Sequence, residues 1–503
     1  MHIATNEFLS QIEKLSNKRK IEILNESDAY EIIGTKYYVS NDGNDTNDGL
    51  SPETAWQTTQ KVKDAIPKLK IGDGVLFRRG DIFRGSIYTA PGVTYAAFGE
   101  GQKPRLYGAD KALTDAALWE EVDPIHHIWK WGEKILDIGT IVFDDGKYVS
   151  YKLIPSYNGS GFVCREDESK PFIMANEMKN DLDIFWHFDD ILNTTPTPKG
   201  DFPVPEIGTK SFGDLYLRCD KGNPAKIFNS VEAVVRRHGF CIGENNNVHI
   251  DNFCIRYFAA HGIAAGGLCN DGLHVSNCEI GWIGGSIQHY FANDPNFPAA
   301  SRGSVTRYGN AIEIYGGCKN FLVENCYIYQ CYDAGITHQI TTNGKFYTME
   351  NVCYRNNIIE NCVYSIEYFL DKNNGDTKSY MKNIEMHQNI LRLSGYGWGQ
   401  QRHNRHTPAH IKGWSYVNTA SNYRIHDNIF DRSAYRLVHL VAEENSSCPT
   451  MWSNTYIQHR GGMLGQYGGN KNGEPPIEFM DDNADYIIEN TFKEKNAKVY
   501  IIE

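Results

Sequence analysis

The chain lacks several features that would assign it at once. It has no apolar run long enough to cross a membrane. Helical periodicity is scarce for a chain of 503 residues, which excludes a helix bundle. It has no basic excess: 50 Lys and Arg against 62 Asp and Glu leave a formal charge of −12, which argues against a nucleic-acid backbone as partner. Met1–Lys20 has no apolar core of a secretory signal and reads as a short amphipathic helix with Phe8, Leu9, Ile12 and Leu15 on one face. The expectation is a cytoplasmic chain, or a secreted one whose signal has been removed. Spacings among the 12 cysteines, such as Cys326 to Cys331, match no zinc pattern. No tight group of Asp and Glu reads as a Ca²⁺ site. No metal or other cofactor is therefore expected, and nothing sets the oligomeric state.

What is present is a repeat. Segments beginning at Asn247, Gly272, Asn320, Asn351, Asn383 and Asn422 superimpose. Their second positions are apolar: Val248, Leu273, Phe321, Val352, Ile384 and Tyr423. Their sixth are polar: Asn252, Asn277, Asn325, Asn356, Gln388 and Asp427. Their ninth are apolar again: Ile255, Ile280, Ile328, Ile359, Leu391 and Phe430. A weaker copy starts near Cys448, with Ser453 at the polar position. Stacked coils about 4.8 Å apart explain these columns, so the fold expected is all-β: a right-handed parallel β-helix. Apolar columns fill the tube, and the amide column sits at a turn, bonding the next coil's backbone. Cys278 and Cys326 share position seven, and Cys331 and Cys362 share position twelve. Disulfides are possible there, but free thiols stacked as small buried hydrophobes are the preferred reading.

The expected organisation is an N-terminal helical segment (1–35), a cap with a capping helix and the first coils (36–109), an inserted β-rich subdomain (110–212), the main β-helix with the active-site face (213–470) and a C-terminal tail (471–503). The subdomain carries Trp119, Trp129, Trp131 and Trp186, and the coils are expected to resume near Leu215-Tyr216-Leu217.

Start-to-start spacings are 25, 48, 31, 32 and 39 residues, and the large surpluses over a bare coil of about 25 fall before Asn320 and before Asn422. Solenoid insertions gather on the binding face. The first holds Tyr290, Phe291, Phe297 and Arg302, and the second Trp398, Gln400, Arg402, His403, Arg405 and His406. Between them one strand column can be aligned through Ile263, Ile312, Ile336, Ile366 and Ile411, which point inward. Side chains alternate along a strand. The next residues therefore face out: Ala264, Glu313, Thr337, Glu367 and Lys412. Two places on come Gly266, Tyr315, Gln339, Phe369 and Trp414. Carboxylates beside aromatic platforms suit a sugar-cleaving groove. Asp333 stands at the groove's lip in the coil next to Glu313. The candidate catalytic residues are Glu313 and Asp333, with Glu367 as a third acid. The candidate substrate-binding residues are Lys412, Gln339, Tyr315, Trp414, Arg405, His406, Tyr290 and Trp398. His338 points inward and reads as a core histidine.

The stretch from Lys36 to Gly108, with Tyr37-Tyr38-Val39-Ser40-Asn41-Asp42-Gly43 and Gly99-Glu100-Gly101-Gln102-Lys103-Pro104, resembles the opening of many carbohydrate-active β-helix proteins. The segment from Tyr308-Gly309-Asn310-Ala311-Ile312-Glu313 to Tyr332-Asp333-Ala334-Gly335-Ile336-Thr337 resembles the central coils of β-helix glycoside hydrolases with the pectin lyase-like fold. The resemblance implies hydrolysis of a glycosidic bond by a carboxylate pair on adjacent coils, with an oligo- or polysaccharide as partner. The polygalacturonase motif with two consecutive aspartates is absent, which argues against pectin hydrolysis by that route. A polysaccharide lyase or uronate epimerase would use Lys412, Arg405, His406 or His410 instead. A non-catalytic glycan-binding solenoid would need only the aromatic ladder.

Overall fold

Each repeat folds into one coil with three left-handed corners. In this computed structural model, which describes residues 2–26, 32–156, 163–164, 174–187, 212–290, 305–307, 309–372, 376, 378–402, 407–414 and 419–503, positive φ recurs at template positions one, six and eleven. Asn320, Asn351, Asn383 and Asn422 hold φ near 50–56° at the first, and Asn252, Asn277, Asn325 and Asn356 hold 51–60° at the sixth. Asparagine tolerates this conformation better than any other residue with a Cβ. The eleventh corner bends just as far but is built from Tyr257, Trp282, Gln330, Asn361, Leu393 and Arg432, at 48–69°.

Between the corners the chain is extended and pairs in parallel with the coils on either side, giving the right-handed β-helix expected. The ninth-position column stacks in register, Ile280 beside Ile328 beside Ile359 beside Leu391, and each is fully buried. The amide ladders fall at different positions from the one anticipated. Inside the tube they occupy position seven: the Asn389 amide donates to the Tyr354 carbonyl (2.9 Å) and to Asn428 Oδ1 (3.0 Å), and its own Oδ1 accepts from Asn357. Asn428 continues to Asn454, which ends on Glu494. Water does not reach this column, so the backbone groups facing it need side-chain partners. A second ladder, Asn422 to Asn383 to Asn351 to Asn320, runs along the first corner outside. The sixth-position residues supply the bend, and Asn252, Asn277 and Asn325 bond the side chains of Lys103, Asp251 and Arg19.

The short helix Thr59–Ala65, capped by the Thr58 hydroxyl, buries Val62 and Ala65 in the same core as Phe77 and Tyr95. The helix Asn6–Leu24 lies along the tube's flank. Thr5 caps it, Ile23 packs against Ile358 and Ile390, and Arg19, Lys20 and Glu13 bond Asn325, Glu360 and Arg392. Leu15, expected on its apolar face, is exposed at 46 %. The strand His2–Ile3 pairs with Lys498–Ile502, and the tail's Met480, Ile488 and Phe492 are core residues.

A mostly antiparallel sheet beside the tube joins Trp119–Asp123, Ile128–Trp131, Asp183–His187 and Phe212–Arg218 around Trp119, Trp131 and Trp186. Phe212–Arg218, expected as a returning coil, belongs to this sheet, paired with Asp183–His187 and Ile128–Trp131. Its alternating burial serves a side sheet as well as a coil, so periodicity could not separate them. The tube resumes at Val231–Val235, which pairs in parallel with Cys254–Phe258. Eleven cysteines, including both stacked pairs, are free among the described residues.

Candidate active site

The outward ladder forms as the strand alternation requires. Ala264, Glu313, Thr337, Glu367 and Lys412 pair across successive coils, and the row continues to His439 and Gln466. The second row runs through Gly266, Tyr315, Gln339 and Phe369.

Three carboxylates converge here, each held differently. Glu313 accepts from the Asn310 amide (2.6 Å) and lies 3.0 Å from His261 Nδ1. Asn310 also accepts the Ala334 amide proton (3.0 Å), tying Glu313 to the coil that carries Asp333. Asp333 is ion-paired with Arg402, whose guanidinium lies over the Tyr364 ring, 5.9 Å from its centroid. Burial by itself would lower the Arg402 pKa, but the Asp333 charge reverses this and keeps the guanidinium firmly protonated. Glu367 is 5 % exposed and accepts from the Trp414 indole. Burial, reinforced by the Asp333 charge, pushes its carboxyl up to about 8, against the opposing pull of the Trp414 hydrogen bond, Arg402 and Lys412.

One coil further, Lys412 Nζ meets His439 Nδ1 and sits 4.2 Å from the Trp414 ring centroid. Burial and the Arg436 charge pull this lysine down to about 7, while Glu367 and Glu474 act the other way. Burial, with the Lys412 and Arg436 charges, keeps His439 neutral. Arg436 donates to Gln466, whose amide in turn donates to the Pro475 carbonyl (2.7 Å).

The ladder thus gathers Glu313, Asp333, Glu367, Lys412 and Trp414. Gln339 is buried with an oxygen that has no hydrogen-bond partner among the described residues, and Tyr315 is exposed at 43 %. Trp398 does not join the carboxylate ladder. It is buried at 4 % among Tyr332, Trp282 and Tyr257, and its indole donates to the Gln330 carbonyl (2.7 Å). The insert folds back on the tube and brings Arg402 to Asp333 instead. Gln401, next to it, donates to the Ser150 carbonyl (2.8 Å), so residues beside the side sheet brace the arginine that holds Asp333. His410 is inside the tube, bonded to Ser394 (2.9 Å), and cannot reach a ligand, while His338 is a core residue bonded to Tyr354 (2.9 Å). Tyr290 ends the strand Ile287–Tyr290, and its side chain lies outside what is described. Arg405 and His406, with His403, Phe291, Phe297 and Arg302, lie outside the described residues.

Sequence reasoning missed His439, Gln466 and Arg436. The ladder was followed only to Lys412, although Val438-His439 repeats the inward–outward pair. It also missed His261 and Asn310, which precede their strands and carry no periodic signal.

No protein-family model matches this chain, and no curated protein does. Solved structures of similar shape include a GH136 lacto-N-biosidase from Eubacterium ramulus, at 11 % identity and TM-score 0.41, over 99 % of this chain and 70 % of that one. XylC in complex with xylose matches at 11 % identity and TM-score 0.43, over 93 % of this chain and 82 % of that one. An alginate lyase from Paenibacillus sp. matches at 9 % identity and TM-score 0.37, over 93 % of this chain and all 100 % of that one.

Proposed function

We propose that this protein is a carbohydrate-active enzyme, a glycoside hydrolase acting on an oligo- or polysaccharide. One observation carries the reading. Two neighbouring carboxyls have opposite fates: Glu367 is desolvated and keeps its proton to about pH 8, and Asp333 is clamped by Arg402. A carboxyl that burial keeps protonated, beside a second one ion-paired to an arginine, divides acid from base or nucleophile. In this reading Glu367 protonates the leaving oxygen, and Trp414 fixes the carboxyl through its indole N–H. Asp333, on the adjacent coil, attacks the anomeric carbon or activates water. Glu313, oriented by His261 and Asn310, completes the carboxylate set and faces the sugar hydroxyls. Tyr315 and Trp414 offer rings for a pyranose face.

A second reading rests on Lys412. A buried lysine pulled down to about 7, with a neutral histidine at its ammonium, has the character of a general base for proton abstraction in a lyase or epimerase. Product chemistry separates the two. The test screens a glycan panel with wild type, Glu367→Gln, Asp333→Asn, Glu313→Gln and Lys412→Met. New reducing ends lost with Glu367→Gln and Asp333→Asn support the hydrolase. Unsaturated products lost with Lys412→Met alone support the lyase, and overturn the hydrolase.

A further inference from the structure

A second set of side chains, on a different strand column from the carboxylate ladder, has metal-ligand chemistry. The strands Thr348–Arg355 and Tyr380–His387 are neighbours in register, with Cys353 paired to Glu385 and Arg355 to His387. Strand alternation puts Glu385 and His387 on one face, two places apart, with Cys353 across from them. All three are half-buried, and one ligand atom from each lies within 4.8 Å of the others. Cys353 Sγ is 3.8 Å from His387 Nε2. In a tetrahedral zinc site, metal–sulfur and metal–nitrogen bonds of about 2.3 and 2.0–2.1 Å place those two ligand atoms roughly 3.5 Å apart. A shift of a few tenths of an ångström therefore closes the pair on an ion.

The surroundings fit that use. His387 Nδ1 is 3.1 Å from the Gln388 side-chain oxygen, which holds the ring proton on Nδ1 and leaves the Nε2 lone pair toward the sulfur. Glu385 is oriented by His426 (3.1 Å) and Arg424 (3.2 Å), and His426 is itself fixed by Asp427 (2.7 Å) and stacks on Trp452. Arg355 and Arg424 are the adverse charges. Glu385 already answers Arg424, and Glu324 answers Arg355 at 2.7 Å. The ligands come from two coils, 32 residues apart between Cys353 and Glu385, so no linear zinc spacing announces them.

We propose that Cys353, Glu385 and His387 form a binding site for a borderline-soft divalent cation of the zinc class, with water in the fourth position. On binding, the Cys353 thiol gives its proton to solvent as the sulfur–metal bond forms. The ion is redox-inert and cross-links two coils of the flank.

The test uses the full-length protein after chelator treatment, titrated with cobalt(II). Wild type is expected to take up one equivalent with a thiolate-to-cobalt charge-transfer band in the near ultraviolet and visible bands of tetrahedral cobalt, both bleached by added zinc. Cys353→Ser is expected to lose the charge-transfer band, and Glu385→Gln to weaken binding. Cys269→Ser, at an exposed cysteine elsewhere, is expected to leave the spectrum unchanged. Absence of a charge-transfer band in wild type overturns the proposal, as does its persistence in Cys353→Ser or its loss in Cys269→Ser. Circular dichroism of each variant separates loss of a ligand from loss of the fold.

Discussion

Replacing Glu367 by glutamine tests the central electrostatic argument through stability as well as rate. The side chain is buried, and its carboxyl ionises near pH 8 in the folded protein against 4.5 in a free glutamate. The folded state therefore binds a proton more tightly than the unfolded one between those values. Its stabilising effect is complete below about pH 4.5 and is lost as pH rises toward 8. Worked through the linkage relation, this one group removes about 4 kcal/mol of stability between about pH 5 and about pH 9. Glutamine has the shape of the protonated acid and does not titrate. The variant should match wild type in acid and exceed it by about that amount in mild alkali, while its turnover falls by roughly 10²–10⁴-fold. Lys412 titrates in both proteins and largely cancels in the difference. The measurement is denaturant unfolding of the two proteins in parallel across this pH range, read by tryptophan fluorescence. Parallel stability curves at all pH values would refute the assignment of a retained proton to Glu367, even if the variant were inactive.

Trp414→Phe keeps an aromatic ring but removes the indole N–H that favours the ionised form of Glu367. The alkaline limb of the kcat/KM profile should therefore move to higher pH, and a shift to lower pH would contradict this. Ile328→Ala opens a cavity between Ile280 and Ile359 and should cost about 2–5 kcal/mol by denaturant unfolding; a loss below about 1 kcal/mol would mean the column collapses around the gap or is not buried. Asn389→Ala strands the Asn357 backbone amide without water and takes the side-chain donor from the Tyr354 carbonyl, and should cost about 3 kcal/mol or more in the same assay, whereas Asn383→Gly on the exposed ladder, which keeps the left-handed corner, should cost less than about 1.

The coil was legible because two of its corners use asparagine, whose preference for left-handed backbone leaves a visible column. The third corner was not, since Tyr257, Trp282, Leu393 and Arg432 are bent by the coil's closure and not by local preference. The carboxylate ladder was legible for the same reason as the core: alternation fixes both faces of a strand at once. Which carboxyl retains its proton was not, because that depends on burial and on Arg402, which arrives from a loop of no periodicity. Trp398 and His410 misled because indole and imidazole serve a hydrophobic interior as readily as a sugar-binding surface.

A stack of coils in which each touches only its neighbours is, by itself, a one-dimensional system that can fray from either end. The flank helix Asn6–Leu24 changes that statistics. Its Arg19, Lys20 and Glu13 reach Asn325, Glu360 and Arg392, which belong to three successive coils, and the strand ahead of it pairs with Lys498–Ile502 beyond the last of them. Melting one coil then strains contacts made to the next two, as a splint shares load across a fracture. The tube beneath the carboxylates should open as a single unit in hydrogen exchange and not peel coil by coil.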